Sequence, residues 1–171
     1  MDLRIERTKR NIINAFIALR ANKPIEKITI KELAEFAVIN KATFYLHYKD
    51  IYDLSDQLEN EILENALSAI PVDDFIRLGG VVQLAEIFTA QSELFNTLFS
   101  GSRVDVMAHK LDNMIKQRVF TKYPKWRKNI TINVKLTAII YGSIHAYFQY
   151  QKEDFDTVIS ALNTLCFNIL P

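Results

Sequence analysis

The sequence predicts an all-α protein. Apolar residues recur at spacings of three, four and seven along most of the chain, the period of a helical face. Only four Gly and four Pro punctuate 171 residues, and few turn dipeptides occur. Leu, Ala, Glu, Lys and Ile dominate the composition, and a hydrophobic content of 49% is enough for a substantial core.

The first helix is expected over residues 4–22, with Ile5, Ile12, Phe16 and Leu19 on one face and Pro24 just beyond its end. Thr29-Ile30-Lys31-Glu32 reads as a capping box: the Thr29 hydroxyl accepts the Glu32 N–H, and the Glu32 carboxylate reaches back to the Thr29 N–H. Ile28 and Leu33 then sit where a hydrophobic staple requires them, and a short second helix runs from about 30 to Ala37. Asn40 is an N-cap, and Asp50 with Asp53 starts a further helix, which confines the third helix to about 41–48. The fourth carries Ile51, Leu54, Leu58, Ile62, Ala66 and Leu67 on one side until Pro71 stops it. At roughly 20 residues, or ~30 Å, it is a connector between an N-terminal head and a C-terminal body.

Beyond Pro71 the period stays helical. One segment is marked by Leu84, Ile87, Phe88, Leu94, Phe95, Leu98 and Phe99. Gly101 breaks it, and a second is marked by Met107, Leu111, Met114, Ile115 and Phe120. Residues 123–128, YPKWRK, read as a connection. Two last helices follow, one through Ile132, Leu136, Ile139, Ile140, Tyr147 and Tyr150, the other through Phe155, Val158, Ile159, Leu162, Leu165 and Ile169.

A net charge of +1 hides an asymmetry. Residues 1–50 hold ten Lys and Arg against six Asp and Glu, whereas the remaining 121 hold eleven against fourteen. A basic head on a mildly acidic body points to a polyanionic partner for the head. The single Cys166 excludes an internal disulfide and reads as core packing, and no secretory leader pattern opens the chain. Charged or amide residues break every apolar run before the ~18 residues a membrane span needs. A soluble, cytoplasmic protein with no membrane association is expected.

Two short capped helices joined by a few residues and packed on a longer preceding helix make a helix-turn-helix, whose second helix enters the major groove of double-stranded DNA. On a helical wheel Phe44 and Tyr48 point inward, while Ala42 and Leu46 point outward with Thr43 and Tyr45 beside them. That small, hydroxylated and partly apolar face suits phosphates and thymine methyl groups.

The stretch TIKELAEFAVINKATFYLHYKDIYDL resembles the DNA-binding head of the TetR family of bacterial transcriptional regulators over about residues 7–67. The likeness rests on Thr29, Leu33, Ala34, Ala37, Lys41, Thr43, Phe44, Tyr45, His47 and Leu54. It implies a three-helix helix-turn-helix head at 1–49, joined through the long fourth helix to a helical body at 50–171 that dimerises. It also implies that Lys31, Lys41, Ala42 and Tyr45 contact base edges, and Thr29, Thr43 and His47 phosphates. Two positions depart from the family pattern. Val38 stands where the family turn carries Gly, so either the residue is not left-handed or strain is accepted. Ile51 replaces a phosphate-gripping Lys, which leaves Lys49 or the helix terminus to cover part of that loss. Arg4, Arg7, Lys9 and Arg10 are either a solvated helix end or further contacts to the DNA backbone.

Together these expectations describe a homodimeric repressor, paired through its last two helices at about 130–170, where Gly142 and Ser143 beside Ile139 and Ile140 permit close approach, and released from its operator by a small-molecule effector. The alternative is a helix-turn-helix regulator whose body recruits a protein partner and senses no small molecule. Tyr141 and His145 are the candidate ligand-binding residues. His145 reads either as a hydrogen-bonded buried histidine or as a polar anchor in a cavity lined by aromatics such as Phe88, Phe95, Phe99, Tyr147 and Phe148. The cluster Lys116, Arg118, Lys122, Lys125, Arg127 and Lys128, with Tyr123 and Trp126 interleaved, has the composition of a nucleic-acid patch but reads as a solvated helix end and loop. Catalytic groups, cofactors and metals are not expected: no Gly-rich phosphate loop, HExxH or CxxC is present. A small enzyme using His145 is the remaining competing reading.

Overall fold

The computed structural model describes residues 3–76, 79–99, 101 and 103–166. The fold is all-α: among the described residues there are nine α-helices, three 3₁₀ segments and no strand. The chain forms two compact units, Met1–Glu61 with Asn96–Leu98, and Ile62–Phe95 with Phe99–Pro171.

In the first unit α1 (Leu3–Arg20) packs on α2 (Ile30–Phe36), and α2 on α3 (Lys41–Tyr45). The core is built from Ile12, Phe16, Leu33, Phe44 and Leu54, each 0% exposed. Full burial of such a side chain contributes about 1.5–3 kcal/mol. Ile5, expected on the core face of α1, is exposed instead, because that face begins only at Ile12. The capping box at α2 forms by half. Thr29 Oγ1 accepts the Glu32 N–H at 3.2 Å, but the Glu32 carboxylate turns to the Lys23 ammonium, an ion pair that competes with the backbone. The staple residues Ile28 and Leu33 are buried as expected.

The third helix is shorter than its spacing suggested. Regular winding ends at Tyr45, and Leu46 N–H bonds to Thr43 while His47 N–H bonds to Phe44, the i to i−3 pattern that tightens a last turn. The fourth helix, α4 (Ile51–Ser68), is then started by two carboxylates. Asp50 Oδ1 accepts the Asp53 N–H and Asp53 Oδ2 accepts the Lys49 N–H, both at 2.8 Å.

The second unit contains the end of α4, a 3₁₀ segment at Val72–Phe75, α5 (Gly79–Ala90), α6 (Ser92–Phe99) apart from Asn96–Leu98, α7 (Arg103–Lys122), a 3₁₀ segment at Pro124–Lys128, α8 (Ile130–Tyr150) and α9 (Phe155–Cys166). The stretch expected as one helix through Leu84 to Phe99 is two helices, broken at Gln91 without any Gly or Pro. Packing of the Phe88 and Phe95 rings, 4.4 Å apart, spans the break. Gly101 does end a helix, in the left-handed conformation at φ 63. Residues 124–128 are wound, not a loose connection.

Helix α7 pairs with α8, and α5 and α8 pack on α9. A polar tie joins α7 to α8: Lys116 Nζ donates to Asp112 Oδ2 at 2.9 Å and to Thr137 Oγ1, which in turn donates to Asp112 Oδ1 at 3.0 Å. With Asp112 9% exposed, its charge is offset by both partners. The side chains of Leu165 and Cys166, and Ile169, lie outside the described residues, so the expectations for them stay as expectations. Among the described residues no helix is long and apolar enough to cross a membrane.

Candidate nucleic-acid interface

Helix α3 begins at Asn40, whose Oδ1 accepts both the backbone N–H and the hydroxyl of Thr43, at 2.7 and 2.9 Å. This double grip fixes the first turn, but it also occupies the Thr43 proton. A phosphate oxygen accepts hydrogen bonds, so a Thr43 contact to phosphate requires the hydroxyl to leave Asn40.

The two faces of α3 separate as the wheel requires. Phe44 and Tyr48 are buried, their centroids 5.7 Å apart. Lys41, Ala42, Tyr45 and Leu46 are exposed, Leu46 at 82% and Tyr45 at 57%. Leaving a leucine and a tyrosine in water at so short a helix forfeits their apolar burial. Lys31, Lys41 and Lys49 are exposed; the Lys49 charge acts on the nearby Asp53 carboxylate, which also accepts the Lys49 backbone N–H. Thr29 is exposed as well, its oxygen already accepting the Glu32 N–H.

His47 is half-buried, with its ring centroid 6.3 Å from that of Tyr48. Its pKa lies below the ordinary 6.5, first because burial disfavours the charged ring and then because Lys9 adds a like charge. The same Lys9 therefore lies close enough to act on His47, so a cation from α1 and the imidazole that follows α3 share one neighbourhood. The connection between α2 and α3 carries the strain left open by the sequence: Val38 has φ 56 and is 87% exposed. Val38, Ile39, Asn40 and Thr43 line a shallow groove of about 520 Å³ with Arg4 and Thr8 of α1. Sequence spacing did not show that groove, because it depends on how α1 lies against the connection.

In the second unit, Tyr141 and His145 lie together, rings stacked at 6.5 Å, on the polar side of the α7–α8 pair. His145 Nε2 meets Asp105 Oδ1 at 3.1 Å, and the Tyr141 hydroxyl meets His109 Nδ1 at 3.4 Å. His145 is exposed, not a buried histidine. Neither residue lines the apolar cavity of about 40 Å³ in this unit, which is walled by Leu84, Phe88, Ile115, Ile140, Tyr147 and Leu162. Ser143, expected with Gly142 on a face open to a partner helix, turns inward instead, a cavity position that sequence reasoning missed. It is 7% exposed, faces that cavity, and its Oγ has no hydrogen-bond partner. The only signal was a hydroxyl within an otherwise apolar helical run.

No family model matches this chain, and no curated protein matches it.

Proposed function

We propose that the protein is a sequence-specific DNA-binding transcriptional regulator of the TetR type, a dimeric repressor released from its operator by a small molecule. The observation that carries the reading is the outward face of α3. Lys41, Ala42, Tyr45 and Leu46 are exposed on a helix whose opposite side is locked by Phe44 and Tyr48. A rigid short helix that offers a cation, a methyl group and an aromatic ring matches what base edges and phosphates accept. Lys31, Lys41 and Lys49 supply sequence-independent attraction, and Thr29, Thr43 and His47 supply phosphate contacts.

One short helix reads only a few base pairs, so two copies are needed to span two half-sites. An exposed stripe along α8 favours pairing there: Ile130 is 73% and Val134 59% exposed, followed by Ala138 and Gly142 on the same face. A Cβ on Gly142 would meet nothing of its own chain within 4 Å, which leaves room for close approach by a second helix. The buried Ser143 hydroxyl without a partner supports an effector site at the cavity, where an oxygen or nitrogen of a bound molecule would satisfy it; at about 40 Å³ the cavity must widen to admit one. Release then follows from linkage: a ligand that prefers a conformation with wrongly spaced heads lowers DNA affinity by the same coupling energy.

Selection of bound duplexes from a random pool tests the reading. A palindromic consensus that disappears with Tyr45→Ala is expected. Absence of any enriched sequence overturns it.

A further inference from the structure

The forty residues from Asn113 to Lys152 contain eight Lys and Arg and no Asp or Glu. Several of these cations are committed internally. Lys116 is tied to Asp112 and Thr137, Arg118 donates to the Ile70 carbonyl, and Lys122 pairs with Asp73. Lys125, Arg127 and Lys128 are different. All three lie on the 3₁₀ turn Pro124–Lys128, all are exposed, and none of their side chains has a hydrogen bond or ion pair among the described residues.

A solvated basic run needs no fixed backbone, yet this one is clamped. The Asn133 amide donates to the carbonyls of Trp126, Arg127 and Asn129, at 3.5, 3.1 and 2.9 Å. The Tyr123 and Trp126 rings stack at 4.4 Å and 15°. The Tyr123 hydroxyl donates to Asp73 Oδ1 at 2.6 Å, so the nearby carboxylate is taken up in bracing the turn and pairing Lys122. Like charges held together on a fixed turn repel one another, and that arrangement is relieved by a polyanion.

We propose that the turn Pro124–Lys128 is a docking surface for the phosphate backbone of double-stranded DNA, separate from the α3 face. Lys125, Arg127 and Lys128 span about 6 Å of 3₁₀ rise, one cation per ~3 Å, close to the ~3.4 Å between successive charges on one DNA strand. A membrane surface is the poorer fit. Interfacial binding requires buried apolar area, and here the Trp126 ring is stacked on Tyr123, which leaves Ile130 as the strongly exposed apolar neighbour. The inference rests on the proposed DNA-binding role only for the choice of polyanion.

The test is the salt dependence of full-length protein binding to a random-sequence duplex, followed by fluorescence anisotropy between about 50 and 200 mM salt. Neutralising the turn with Lys125→Gln, Arg127→Gln and Lys128→Gln is expected to reduce the slope of log affinity against log salt by about 2.7, three phosphates at ~0.9 each. The same reduction is expected in a Lys41→Ala, Tyr45→Ala background. If the α3 face plays no part in DNA binding, that background binds like the parent while the turn variant still loses slope, so the two ideas fail separately. Asn133→Ala keeps every charge but frees the turn, and weaker duplex binding is expected. An unchanged slope in the triple variant overturns the inference, as does unchanged affinity in Asn133→Ala. Loss of binding to phosphatidylserine vesicles with the duplex slope intact also overturns it.

Discussion

The ring of Tyr45 stands edge-on to that of Phe44, centroids 5.7 Å apart and planes at 81°, so an exposed side chain is braced by a fully buried one. The two residues are neighbours in sequence and belong to opposite faces of α3. Tyr45→Ala is expected to cost about 0.5–1.5 kcal/mol of stability, the worth of one aromatic pair, while removing sequence selection. Phe44→Ala empties a core position and is expected to cost about 3–5 kcal/mol. Urea unfolding beside a duplex-binding measurement separates the two effects.

Val38 gives a prediction of opposite sign. A left-handed non-glycine residue costs roughly 1–2 kcal/mol, and glycine's greater freedom in the unfolded chain costs about 0.5–1 kcal/mol. With Val38 87% exposed, little packing is lost. Val38→Gly is therefore expected to stabilise by about 0.5–1 kcal/mol, raising the urea midpoint with the slope unchanged.

Asp53 makes stability depend on pH. Its carboxylate accepts the Lys49 backbone N–H and, secondly, the Gln57 amide, and these bonds hold its pKa below the ordinary value of about 3.8. A depressed folded pKa contributes stability that is present above the unfolded value and lost as pH falls through the folded one. Asp53→Ala should therefore lower the urea midpoint at pH 7, and the gap to the parent should close as pH falls below about 4.

His47 titrates in the other sense. Its pKa is lowered by burial and by Lys9, so the unfolded chain takes up the proton first as pH falls below about 6.5, and the free protein loses stability there. A phosphate placed against the ring favours the charged form. Duplex affinity at constant salt should then rise as pH falls through the range around 6.5, and His47→Gln should flatten that rise.

The α8 stripe and the cavity give the last pair. A Cβ at Gly142 has open space around it, so Gly142→Glu is expected to fold and to sediment as a monomer, and the parent is expected to sediment as a dimer. Ser143→Ala removes a buried hydroxyl that lacks a partner and is expected to stabilise the ligand-free protein by roughly 1 kcal/mol in thermal unfolding.

By itself the sequence determined the all-α class, the starts of α2, α3 and α4, and the split between Phe44 and Tyr45. Each of these depends on residues within about one helical turn: Thr29 with Glu32, Asn40 with Thr43, Asp50 with Asp53, and the 3.6-residue period. What the tertiary structure decided involves partners far apart in the chain. Glu32 left its own helix end for Lys23, and Thr137 joined Asp112 across two helices. The run through Leu84 to Phe99 broke at Gln91, where no local residue marks it. Tyr141 and His145 went to the solvent side of α8 with His109 and Asp105, while Ser143, two residues from each and so on the opposite side of the helix, was turned into the apolar cavity. Local spacing fixes which face a residue occupies along its own helix. Only the packing of one helix against another fixes whether that face meets a cavity, a carboxylate or water.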